Sequence, residues 1–266
     1  MGAEAGVLRD AWRLAVGTLT VLRVAPPVVV DRRRAGIAMV LAPLAVAPLA
    51  VLVALVAWGA VELDVAPLVT GMVVVGVLAL GTRALHLDGL ADLADGLTAS
   101  YDRERSLAVM KTGTAGPAGV AALVIVLGLQ AAATGSLLAS TGARGAVVVG
   151  VATCVSRAAL SLCCLRGVPG ARADGLGSTY VGSVAPVLTV LVWILAAAVA
   201  GVAVSWAGVG WWHGPLAVAL ALAAVCLVVL RAVRRLGGVT GDVFGACVEI
   251  AFAVVLVGVP VGAGLG

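Results

Sequence analysis

The sequence predicts an all-α fold: a polytopic transmembrane helical bundle of about seven spans, preceded by an N-terminal amphipathic helix at the membrane interface. Three observations lead there. Hydrophobic residues make up 62% of the chain and the mean hydropathy is +1.19, far above the soluble range and more apolar surface than one buried core can absorb. Uninterrupted apolar runs close to the ~20 residues that cross a bilayer recur along the whole length. Basic residues cluster between alternate runs. Of the 17 Lys and Arg residues, all but Arg144 and Arg157 fall on one side of a seven-span arrangement, and that side is expected to be cytoplasmic.

Each element follows from its composition. Residues 4–24 carry Arg9, Arg13 and Arg23 among Val, Leu and Trp12, which suits an interfacial amphipathic helix. A secretory signal would need a clean apolar stretch followed by a small-residue cleavage site, and this segment lacks both. Asp31 to Arg34 forms a basic stop before a first span over 36–61, where Pro43 and Pro48 are expected to introduce a kink. Further spans are expected at about 68–85, 116–138, 146–165, 185–205, 215–230 and 243–261. The loop holding Trp206, Trp211 and Trp212 then falls at the outer interface, where tryptophan is favoured. The five cysteines lie in apolar segments without metal-ligand spacing and are expected to be small core residues. Residues 1–266 are expected to form a single integral membrane domain, with 1–35 as the arm and 36–261 as the bundle carrying cytoplasmic active-site loops. The chain is expected to be a multi-pass protein of the cell (inner or plasma) membrane, in contact with membrane lipid.

The residues that carry chemistry sit in the loops on that one side. His86-Leu-Asp-Gly-Leu-Ala-Asp-Leu-Ala-Asp-Gly96 places Asp88, Asp92 and Asp95 at i, i+4 and i+7, along one face of a helix. Like charges so grouped call for a cation, and Mg2+ takes hard oxygen ligands and bridges carboxylates to phosphates; a solvated acidic helix start is the plainer alternative. His86 can orient a carboxylate or act as a base, or be a simple interfacial residue. Lys111 precedes a Gly/Thr-rich turn entering a helix, which can cradle phosphate through backbone N–H groups or merely start a helix. The 171–180 loop mixes Arg172 and Asp174 with glycines and hydroxyls. Gly237-Gly-Val-Thr-Gly-Asp242 opens the last span, where Asp242 can either cap the helix or serve chemistry. Glu249 lies seven residues on, inside the bilayer, where an ionisable group is costly. Arg157 is its expected partner, in a structural or a catalytic role.

These motifs, in the same order, resemble the cobalamin synthase family, also called adenosylcobinamide-GDP ribazoletransferase. The resemblance rests on His-Leu-Asp-Gly-Leu-Ala-Asp-x-Ala-Asp-Gly, on Met110-Lys111 and its Gly-rich turn, on Ala-Arg-x-Asp-Gly-Leu-Gly and on Gly-Gly-Val-Thr-Gly-Asp. It extends from about Thr20 to Val261; the Lys111 turn departs from the more charged turn expected in the family. The resemblance implies a magnesium-dependent membrane enzyme of cobalamin biosynthesis. Such an enzyme joins adenosylcobinamide-GDP to α-ribazole or its 5′-phosphate in nucleotide-loop assembly, giving adenosylcobalamin or its 5′-phosphate and releasing GMP. On that basis Asp88, Asp92 and Asp95 are expected to bind Mg2+. Asp242 is expected to be a fourth carboxylate or the base on the ribose hydroxyl, with His86 beside it. Lys111, Arg157, Arg172 and Asp174 are expected to bind substrate. No nucleic-acid partner is expected, and the sequence leaves homo-oligomerisation open.

Two other classes compete. A membrane alcohol phosphotransferase also works with magnesium at an acidic motif, but that motif places Ala-Arg soon after the first Asp-Gly, where Asp92 and Leu93 stand here. A secondary transporter would show polar residues near the midplanes of repeated spans, and no internal repeat is evident.

Overall fold

The computed structural model describes residues 2–172 and 177–259. Their twelve α-helices are α1 (Gly2–Leu19), α2 (Arg32–Ala45), α3 (Ala47–Glu62), α4 (Pro67–Gly81), α5 (Leu85–Ala99), α6 (Arg103–Val109), α7 (Pro117–Thr141), α8 (Gly145–Val155), α9 (Ala158–Cys163), α10 (Pro186–Trp206), α11 (His213–Leu236) and α12 (Gly241–Gly258). No β-strand occurs among the described residues; two isolated bridges, Leu165 with Val184 and Gly170 with Val239, pin the loops.

The N-terminal helix is amphipathic, as its sequence implies, and it folds back onto α2. Val7, Ala11, Ala15 and Leu19, spaced four apart, are buried, while Leu8 and Trp12 face outward. Ion pairs fix it in place: Arg33 with Glu4 at 2.8 Å and Arg34 with Asp10 at 3.3 Å. Asp31 caps α2 by accepting from the Arg34 N–H, and it also pairs with the Arg34 guanidinium. The expected kink in the first span is a break at Val46, between α2 and α3. Pro48 has no N–H to offer the Leu44 carbonyl, and the Val46 N–H turns to that carbonyl instead.

Five helical stretches are long and apolar enough to cross a bilayer, and a sixth arises if the bent pair α4–α5 is counted as one. The expected number of seven is not established by length and composition. One stretch, Pro117–Cys163, runs for 47 residues, about twice what a bilayer needs, and it is interrupted at Gly142, which sits at φ +60°. Before that point α7 runs antiparallel to α4, with Gly71 against Ala131 and Gly135 against Pro67. After it, α8 packs on α3 with Gly150 against Ala50 and Ala54, and α9 reaches α2. Small residues at such crossings let backbones approach closely without lipid between them.

The bend that matters for the site separates α4 from α5, whose axes differ by 95°. Arg83 and Ala84 make it by adopting left-handed conformations, at φ 56° and 55°. The turn is held from outside: the Arg83 guanidinium donates to the Gly17 carbonyl at 2.8 Å, and the Val21 N–H donates to the Gly81 carbonyl. α5 therefore turns sharply away from α4 and packs against α12 and α7. A left-handed non-glycine residue costs roughly 1–2 kcal/mol. Ala84→Gly is therefore expected to raise the midpoint of thermal unfolding, by about 0.5–1 kcal/mol after the extra flexibility of the unfolded chain is counted. Ala84→Val should lower it, and a destabilised glycine variant would show that the bend carries no strain.

Loops on the α5 side are stitched to one another. Arg103, at the start of α6, donates to the carbonyls of Leu236 at 2.7 Å and Ala171 at 2.9 Å, and Arg235 donates to the Ser100 carbonyl. The Gly237-Gly238 pair is needed here. Gly237 sits at φ +76°, and a Cβ on Gly238 would run into the backbone of Pro169 to Ala171. α12 occupies the centre, packed against α5, α7, α9 and α11.

Candidate active site

The site is built where α5 crosses the start of α12. A Cβ on Gly89 would lie 2.7 Å from the Asp242 carbonyl oxygen, and a Cβ on Gly245 would lie 2.9 Å from that of His86. The two helices thus touch backbone to backbone at glycines, which brings Asp88 and Asp242 together from positions far apart in sequence. Thr240 caps α12, its hydroxyl accepting from the Val243 N–H and donating to the Asp242 carboxylate at 3.1 Å. The capping role that the sequence allowed for Asp242 therefore belongs to Thr240.

Beside this crossing lies a cavity of about 300 Å3. Asp88, Asp242, Arg172, His86, Ser178, Tyr180 and Thr240 contribute polar groups to its lining, and Leu19, Met39, Leu85, Leu160, Val181, Val239 and Phe244 contribute apolar ones. Arg172 is steadied by donating to the Leu107 carbonyl at 2.6 Å. Asp92 sits one turn beyond Asp88. Partial burial, and then the neighbouring Asp88, Asp242 and Asp95 carboxylates, push its carboxyl up to about 6. The unneutralised negative charge at this end of α5 has only Arg172 opposing it among the groups that act on Asp92.

Asp95 has a different task. It is buried, and its two oxygens accept from the N–H groups of Gly116 at 2.6 Å and Gly119 at 2.8 Å. It thereby caps α7 from across the fold, as an anion at a helix N-terminus. Of the backbone donors that the sequence offered as a phosphate cradle after Lys111, that of Gly116 is thus already engaged by Asp95. Lys111 itself is exposed in the α6–α7 turn and does not line the cavity.

The remaining expected residues divide likewise. Arg157 is buried between α8 and α9 and donates to the Thr153 carbonyl and the Ser156 hydroxyl, both at 2.9 Å; it does not line the cavity. Its expected partner Glu249 is held instead by Gln130, whose amide donates to the carboxylate at 2.8 Å, and His86 Nδ1 lies 3.9 Å from the same carboxylate. No ion pair joins Arg157 to Glu249 among the described residues. His86 is 3% exposed, and neither ring nitrogen has a hydrogen-bond partner. Asp174 lies outside the described residues. Sequence reasoning had no signal for Leu19, Met39 and Leu160, which reach the cavity from α1, α2 and α9 by tertiary packing alone.

Among the described residues no three His, Cys, Asp or Glu side chains lie close enough to enclose a metal ion, so these residues build no complete cage. Mg2+ does not need one: it is commonly bound through one or two carboxylates, with substrate phosphates and water completing its shell. Asp88 and Asp242 facing one cavity, with Asp92 adjacent, fit that mode. Asp95, with both oxygens committed to α7, fits it less well.

The chain is similar to an adenosylcobinamide-GDP ribazoletransferase of Nocardioides sp., 49% identical over 249 residues that cover 94% of this chain and 97% of the relative. Another of that name, from Frankia casuarinae, is 36% identical over 257 residues, covering 92% of each chain. A third, from Halorubrum lacusprofundi, is 38% identical over 175 residues, covering 62% of this chain and 65% of the relative. No solved structure matches. The sequence model of the cobalamin-5-phosphate synthase family matches residues 11–260, a stretch that holds the acidic helix α5, the Arg172 loop and the start of α12 together, and the chain belongs to that family.

Proposed function

We propose that this membrane protein transfers the cobinamide-phosphate group of adenosylcobinamide-GDP to α-ribazole or α-ribazole 5′-phosphate. The observation that carries the reading is the convergence of Asp88, Asp242 and Arg172 on one cavity, in a chain of this family. The ribose hydroxyl oxygen forms a bond to the phosphorus that bears cobinamide. The bond from that phosphorus to the bridging oxygen breaks, GMP leaves with that oxygen, and the hydroxyl proton passes to a carboxylate. Asp242 is the base, because it lies at the crossing and is spared the capping task. Arg172 offsets charge on the diphosphate. Asp88 and Asp92 would hold Mg2+, which would supply neutralisation of the phosphate oxygens when bound. Little covalent chemistry is asked of the protein in such a transfer, and alignment with fixed charge supplies most of the rate. Purified protein given adenosylcobinamide-GDP, α-ribazole and Mg2+ should release GMP in step with adenosylcobalamin formation. Absence of GMP release with both acceptor forms would overturn the reading.

The site faces the cytoplasm, across the cell membrane from the exposed Trp206, Trp211 and Trp212 of the α10–α11 turn. The asymmetric placement of Lys and Arg supports this orientation. A Ser178→Cys variant is expected to react with impermeant thiol reagents only from the cytoplasmic side, and Ser140→Cys only from outside. The reverse pattern would invert the topology.

A further inference from the structure

We infer that the cavity beside the α5–α12 crossing seats the base of the acceptor nucleoside, leaving the corrinoid donor outside with only its diphosphate reaching the carboxylates. This rests on the reading of α-ribazole as acceptor. Exposure gives the cavity a direction. Asp88 is exposed and Asp242 and Arg172 are half-buried, so they form its mouth. Leu19, Met39 and Leu160 are 3%, 3% and 2% exposed, so they form its floor. A volume of about 300 Å3 is at the small end of ligand pockets, which run from ~300 to 1,000 Å3. It suits a nucleoside and is far too small for a corrinoid.

The chemistry of the floor selects between the two nucleosides of the reaction. Guanine carries an amine, a carbonyl and a ring N–H, and an apolar floor would leave most of them unpaired at a cost of several-fold to many-fold in affinity. The base of α-ribazole is a benzimidazole with two methyl groups and one bare ring nitrogen. It needs apolar walls and a single donor. His86 is assigned as that donor: it is among the residues that line the cavity, it is buried, and neither ring nitrogen makes a hydrogen bond, Nδ1 lying 3.9 Å from the Glu249 carboxylate, while a neutral imidazole always carries one N–H. The bare nitrogen of the acceptor base would give that N–H its partner. With the base on the floor, the ribose lies at the mouth, beside Asp242.

The test separates the two substrates in steady-state GMP release by the full chain in detergent or nanodiscs. Met39→Phe and Leu160→Phe, which fill the floor, and His86→Leu, which removes the donor, should each raise KM for α-ribazole by about tenfold or more and leave KM for adenosylcobinamide-GDP within about twofold. A rise confined to the donor's KM would overturn the assignment. As these positions are buried and a variant can fail to fold, the unmodified protein is also labelled with a photoreactive azidobenzimidazole riboside. Cross-links on the peptides holding Met39, Leu160 or Phe244 support the assignment, and cross-links confined to other segments overturn it. A wild-type protein that makes no GMP defeats the activity, while the labelling still decides the seat of the base.

Discussion

Asp242→Asn is expected to lower turnover by about 10²–10⁴-fold, the range associated with loss of a general base, with little change in melting temperature. The reason lies in the division of labour at the start of α12. Thr240 caps the helix through its hydroxyl, so the Asp242 carboxylate is not required for that purpose, and Asn keeps its shape and hydrogen-bonding capacity. Asp95→Asn should behave in the opposite way. An amide offers one acceptor where the carboxylate offered two, so one of the bonds from Gly116 and Gly119 is lost and the other loses its charge. Hydrogen bonds to charged groups contribute about 1.5–3 kcal/mol, so this variant should melt earlier while its folded fraction keeps the normal Mg2+ dependence. Parallel thermal denaturation and Mg2+ titration of the two variants distinguish the roles. An Asp242→Asn protein with wild-type turnover would remove this carboxylate from the chemistry.

Gly89→Ala is expected to be similarly damaging without touching a charged group. The new methyl would sit 2.7 Å from the Asp242 carbonyl oxygen and 2.9 Å from its Cα. Both are backbone atoms, so α5 and α12 must move apart. Overpacking of this kind costs about 1–3 kcal/mol, but the larger effect is on geometry, since a shift of roughly 1 Å in a catalytic constellation can cost about 100-fold in rate. Turnover should fall by about that factor. Gly128→Ala in α7 is the control: a Cβ there meets nothing within 4 Å, and alanine should stabilise the helix by up to about 1 kcal/mol. Equal activity in the two variants would show that the crossing distance is not what sets the rate.

The bundle, the chemistry-bearing loops and the family were legible in the sequence, because apolar run length and charge placement are one-dimensional quantities. The fate of the acidic helix was not. Spacing of i, i+4 and i+7 puts three carboxylates on one face, but seven residues also span about 10 Å along the axis. That distance is enough for Asp88 to meet α12 at one end of α5 while Asp95 meets α7 at the other. Glu249 was identifiable as costly at its depth, but its partner depended on which helix lay alongside; Gln130, an uncharged residue 119 positions away, carries no local signal of that role. The 95° turn before α5 was equally silent, since Arg83 and Ala84 are not residues that announce a left-handed conformation.

The central position of α12 has a consequence for biogenesis. This helix leaves the ribosome after every helix it packs against, yet eleven of its residues are buried among them. Until α12 is made, the helices around it lack the side chains that fill their centre, and the Asp88 side of the cavity lacks its Asp242 side. Catalytic competence is thus acquired in a single late step, when the final described helix inserts, and a chain stalled before Gly241 would be membrane-embedded and inert.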